Sequence, residues 1–131
     1  MEHVQHALKR GDCPDLRDMS DMFLHWLAGD GLAVFPAGEL RASWDAHRAH
    51  VEGEDGLFSV VRERAPRLES EIGSLDREHA ALAAAIEGVL EAEDEDARRQ
   101  RVAPLIELID QHCAHAVSVV YDAFDQEIGG G

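Results

Sequence analysis

Apolar residues recur at alternating steps of four and three along this chain, the spacing that lines one face of an α-helix. One stripe runs through Leu40, Trp44, His47, Val51, Glu54, Phe58 and Val61. A second runs through Leu68, Ile72, Leu75, His79, Leu82, Ile86 and Val89, and a third through Leu105, Ile109, His112, Ala116, Val119 and Ala123. A shorter stretch carries Leu16, Met19, Phe23, Trp26 and Leu27 on one side. Strand-like alternation is nearly absent, and Ala, Leu, Glu and Arg dominate the periodic segments. The pattern predicts an all-α fold, an up-down antiparallel four-helix bundle whose interior is suited to holding metals and cofactors.

Glycine, proline and capping residues set the expected boundaries. Met1–Arg10 reads as a short helix ending at Gly11, and Asp12-Cys13-Pro14 as a cap followed by proline in a first turn. The first long helix is expected over Pro14–Ala28, stopped by Gly29-Asp30-Gly31, with a loop to Gly38. The second is expected from about Glu39 to Arg64 and the third from Pro66 to Ala92. The acidic run Glu91-Ala92-Glu93-Asp94-Glu95-Asp96 reads as a solvated helix end or connector. The last helix should run from about Asp96, or from Pro104 if it starts late, to Gln126.

A length of 131 residues suits a single domain over 1–131 with one core, flanked by a short N-terminal segment (1–13) and a disordered glycine tail (129–131). With 27 acidic and 12 basic residues the formal charge is −15, which argues against nucleic acid and anionic membrane surfaces as partners. Neither a bilayer-spanning apolar run nor a signal-peptide pattern at Met1–Arg10 is visible, so a cytoplasmic protein is expected. The two cysteines, Cys13 and Cys113, give no disulfide framework. Cys113 points about 100° away from His112 around its helix and reads as a packing residue. A homodimer is compatible with a short first helix that leaves one side to be covered.

Polar residues inside the apolar stripes carry the candidate chemistry. His50-Val51-Glu52-Gly53-Glu54 is a His-x-x-x-Glu, and a buried carboxylate is costly unless it is paired or binds a metal. Imidazole and carboxylate one turn apart can close on a single ion. A lone histidine on an apolar face is ordinarily a hydrogen-bonded core residue. Three predicted helices each bring one, and together they point to a metal site within the bundle. Neither a Ser/His/Asp arrangement around Ser118 or Tyr121 nor a glycine-rich phosphate loop is present.

Over Arg41–Leu90 the chain resembles the hemerythrin-like (HHE cation-binding) family. The resemblance rests on His50-x-x-x-Glu54-Asp55-Gly56-Leu57-Phe58, on Arg64-Ala65-Pro66-Arg67-Leu68 after it, and on Glu78-His79-Ala80-Ala81-Leu82. His112-Cys113-Ala114-His115 is similar to the start of the family's fourth-helix motif. The resemblance implies two oxo- or hydroxo-bridged irons, with His50, His79 and His112 as terminal ligands and Glu54 as a bridging carboxylate. The chain departs from the family at Ala116, where the second bridging carboxylate should fall, at Val117, and at Val51, where a second histidine is usual. His25, in Met22-Phe23-Leu24-His25-Trp26, is the local match for a first-helix ligand, although it lies about 150° from the apolar stripe of that helix. His3 and His6 read as surface residues. His47 on the second stripe and His115 beside Ala116 are available as substitute ligands, and Glu78 reads as solvated or as supporting a ligand. A nitrogen-rich site of this kind suits iron, and equally zinc, copper or nickel.

Three functions follow as expectations. The first is a non-haem iron protein, with two ions or one, that binds or senses dioxygen, nitric oxide or peroxide, or iron itself. The second is a metal-dependent oxygenase or peroxidase in which Ala116 opens a coordination position. The third is a metal-free bundle kept as a binding or regulatory module.

Overall fold

Cys13 and Pro14 open the first long helix, α1 (Pro14–Ala28), with Cys13 at the N-cap and proline at the first helical position, where a missing N–H costs nothing. The structure, a computed structural model, describes residues 13–29, 34–54 and 56–124. The expected Met1–Arg10 helix with His3 and His6, part of the loop after Gly29, and the glycine tail lie outside the described residues. Then come α2 (Ala37–Glu52), α3 (Leu57–Arg64), a 3-10 turn (Pro66–Leu68), α4 (Glu69–Leu90) and α5 (Glu95–Ala123). Among the described residues none is in a strand, and no helix is long and apolar enough to cross a membrane.

Four long helices, α1, α2, α4 and α5, surround one apolar core, with α1 against α2 and α5, and α4 along α5. Leu16, Met19 and Phe23 of α1, Leu40 of α2, Ile72, Leu75 and Leu82 of α4, and Leu105 and Ile109 of α5 are almost wholly buried. Each such side chain contributes about 1.5–3 kcal/mol of hydrophobic free energy. Apart from Glu54, which is exposed, and Leu27, which is half-buried, the stripes read from the sequence are the packed faces. The start of α5 is fixed by Asp94, whose carboxylate accepts from the Ala97 N–H at 2.8 Å, so the helix begins early and carries Pro104 within it.

The second predicted helix is broken, which corrects the continuous Glu39–Arg64 expected above. Gly53 and Gly56 both take extended backbone, and the Gly56 N–H donates to the Gly53 carbonyl at 2.9 Å. A Cβ at Gly56 would lie 2.6 Å from the Val51 carbonyl oxygen, so the chain turns here only because no side chain is present. Gly56→Ala should therefore cost on the order of 1–3 kcal/mol through overpacking against rigid backbone. A lowered urea midpoint with an unchanged slope would register it.

Candidate metal centre

Three helices each deliver one histidine to a common point. His47 sits on α2 between Trp44 and Val51, His79 at the middle of α4, and His112 on α5 between Ile109 and Ala116. Each replaces an apolar residue in an otherwise regular stripe, so the packing that buries the stripe also buries the imidazole, to 1–3 % exposure. The rings of Trp44 and Phe58 pack against them: Trp44 stacks on His47 at 5.9 Å, and Phe58 lies 5.4 Å from His79.

His79 Nε2 lies 3.0 Å from His47 Nε2 and 3.1 Å from His112 Nε2. A ring nitrogen offers either one N–H or one lone pair, never two of either. One Nε2 therefore cannot form full hydrogen bonds to both neighbours. The outer nitrogens sharpen the conflict. His112 Nδ1 is 2.7 Å from Glu78 Oε1, a donor's distance to a carboxylate, so neutral His112 carries its proton on Nδ1 and a bare lone pair on Nε2. His79 Nδ1 faces Glu52 Oε1 at 3.4 Å, an ion-pair distance too long for a good hydrogen bond, and that buried atom has no closer partner. His79 Nε2 can donate to one neighbour only, so one of the two short nitrogen–nitrogen contacts is left without a full hydrogen bond.

An added proton does not resolve these contacts. Burial pushes the His47 imidazole down to about 3, helped by the neighbouring His79, His112 and His50. Burial also lowers His79 and His112, against the pull of Glu52 on the first and of Glu78 on the second. All three rings therefore stay neutral at physiological pH, with their lone pairs available.

Carboxylates hold the rings from behind. Glu78 binds His112 Nδ1 through one oxygen and His115 Nδ1, at 2.7 Å, through the other; His115 Nε2 reaches Glu71 Oε2 at 3.0 Å. Partial burial works against the charge on His115, but its bonds to Glu71 and Glu78 outweigh this and raise its pKa. Arg48 braces Glu52 at 2.9 Å. Burial alone would raise the Glu52 pKa, yet the bond to Arg48 and the nearby His79 bring it below the usual carboxylate range. A pocket of about 260 Å³ lined by Trp44, Arg48, Glu52, Asp76 and His79 opens to solvent beside the His79 ring.

The other residues singled out in the sequence fall elsewhere. His50 is exposed, its Nδ1 bonded to Asp15 at 2.9 Å, where it ties α2 to α1. Glu54 is exposed in the break after α2, because α2 ends at Glu52. His25 is exposed in the last turn of α1, and His115 is engaged by carboxylates at both nitrogens. The structure thus gathers His47, His79 and His112 and leaves His50, Glu54 and His25 outside the cluster. Sequence reasoning overlooked Cys13. It is buried, its backbone is left-handed (φ 58, ψ 59), and its thiol, a His47 nitrogen and a His112 nitrogen lie within 4.8 Å of one another.

The donors fit one ion better than two. Bonds of about 2.0–2.1 Å at tetrahedral angles place imidazole nitrogens about 3.3–3.4 Å apart, within a few tenths of an ångström of the His47–His79 and His79–His112 spacings, while the group whose ligand atoms all lie within 4.8 Å of one another is Cys13, His47 and His112. Two ions need bridging carboxylates. Position 116 is alanine, Glu54 is outside the cluster, and Glu52 and Glu78 face the outer ring nitrogens. No protein-family model matches the chain, and neither a curated protein nor a solved structure matches it.

Proposed function

We propose that this protein binds a single transition-metal ion within a hemerythrin-like helical bundle, through Nε2 of His47, His79 and His112. The observation that carries the reading is the convergence of three buried, neutral imidazoles at 3.0–3.1 Å on one nitrogen that cannot satisfy both neighbours by hydrogen bonding. Glu78, and Glu52 at longer range, are positioned to fix the tautomers and raise the basicity of the ligands, as carboxylates behind metal-bound histidines do. Trp44 and Phe58 pack against the imidazoles, and an open pocket borders His79. Once bound, the ion supplies Lewis acidity, redox capacity if it is iron or copper, and a point of attachment for dioxygen, nitric oxide or peroxide. A two-iron centre has less support, because the described residues lack the bridging carboxylates it needs.

The test is to strip the protein with chelator and add zinc, copper, ferrous iron and nickel separately, following metal per chain and thermal unfolding. One ion per chain should be retained for at least one metal, with a stabilisation of about 2.7 kcal/mol at a free metal concentration a hundred times the Kd. Failure of all four to bind or to raise the melting temperature would remove the proposal.

A further inference from the structure

We propose that Cys13 supplies a thiolate to that ion beside the imidazoles of His47 and His112. This inference rests on the reading of the histidine cluster as a one-ion site. Two features of Cys13 support it. Its side chain is 1 % exposed, and its sulfur lies within 4.8 Å of a His47 and a His112 nitrogen. It is also the one non-glycine residue with positive φ among the described residues, a conformation held only where the surroundings dictate it.

The chemistry is consistent with that placement. A thiolate at a helix N-terminus lies at the positive end of the macrodipole, which favours the deprotonated sulfur. Binding breaks the S–H bond, forms a sulfur–metal bond and releases the proton to solvent, with no change in oxidation state. Ligation should therefore release one more proton than binding by imidazoles alone. A thiolate with imidazoles suits zinc, copper or cobalt and disfavours magnesium, calcium and manganese, which prefer oxygen. Cys113 is equally buried on α5 but lies outside this group, which makes it the natural control.

Cobalt(II) is the probe. The wild-type chain loaded with one cobalt should show visible d–d bands and a near-ultraviolet sulfur-to-cobalt charge-transfer band. Cys13→Ser should lose the charge-transfer band while still binding cobalt, and Cys113→Ser should keep both. X-ray absorption on the zinc-loaded wild type needs no variant and should find one sulfur at about 2.3 Å beside nitrogen donors. Cobalt bound to the wild type without a charge-transfer band, zinc without a sulfur neighbour, or a band that survives in Cys13→Ser would overturn the thiolate assignment and leave the histidine site standing. A wild type that binds neither cobalt nor zinc would overturn both.

Discussion

Replacing His79 by leucine should abolish metal binding and leave the metal-free protein as stable as the wild type, or more so. His79 is the hinge of the cluster, because its Nε2 is the atom that approaches both other imidazoles. Without it His47 and His112 alone remain on the imidazole side, and affinity should fall by more than ~100-fold. That exceeds the ~10–100-fold expected for Glu78→Gln, which removes only the charge behind His112. Stability should move the other way. A leucine is similar in volume, sits in a stripe flanked by Leu75 and Leu82, and removes a buried Nδ1 that lacks a hydrogen bond, a group that costs about 1–3 kcal/mol. Isothermal titration with zinc and urea unfolding in chelator would read the two quantities independently. Metal-free wild type exceeding His79→Leu by several kcal/mol would mean that the nitrogen–nitrogen contacts stabilise the fold by themselves. The cluster would then be a structural hydrogen-bond network.

Acid should destabilise the metal-free protein well before its carboxylates titrate. His47 falls from an ordinary 6.5 to about 3 in the folded chain, chiefly through burial. Between those values the unfolded state binds the proton and the folded state does not, so stability rises with pH across that window and is lost as pH falls through it. By pH 4.5 the loss from His47 is on the order of 2–3 kcal/mol, and His79 and His112, shifted in the same direction, add to it. His115 works oppositely: its raised pKa stabilises the fold below 6.5, and this is lost as pH rises through its folded value. Because His115 is partly exposed to screening solvent, its effect is small beside that of the buried rings. Unfolding measured in chelator at pH 7 and pH 4.5 should show the decline, and His47→Leu should flatten it. A wild-type stability unchanged across that interval would show that the folded chain accepts the protons and that the imidazoles are not held neutral.

The stripes were legible because helical packing imposes them directly. Leu75, His79 and Leu82, or Ile109, His112 and Ala116, have the spacing of buried positions, and a histidine there must enter the core. The same rule runs the first stripe through His47, which is buried, whereas His50 lies about 60° off it and is exposed; the motif resemblance drew attention to His50. Extending the stripe to Glu54 assumed a continuous helix. Gly53 and Gly56 break it through a close backbone approach to Ala49 and Val51, an effect that depends on three-dimensional contact and leaves only two glycines as a trace in the sequence. Cys13 was invisible for a related reason. A cysteine before a proline reads as a cap, and its direction is set by a left-handed backbone that no local pattern announces. Glu78 beside His79 gave a usable hint, since a carboxylate just off a buried stripe can reach the neighbouring helix; its link to His112 needed the packing of α4 on α5.

If one ion binds among His47, His79 and His112, anomalous diffraction at the absorption edge of the metal, from crystals of the singly loaded protein, should show one peak per chain within bonding distance of all three Nε2 atoms. Two peaks bridged by carboxylate, or a single peak at His50 and Glu54 with the three imidazoles unligated, would contradict it.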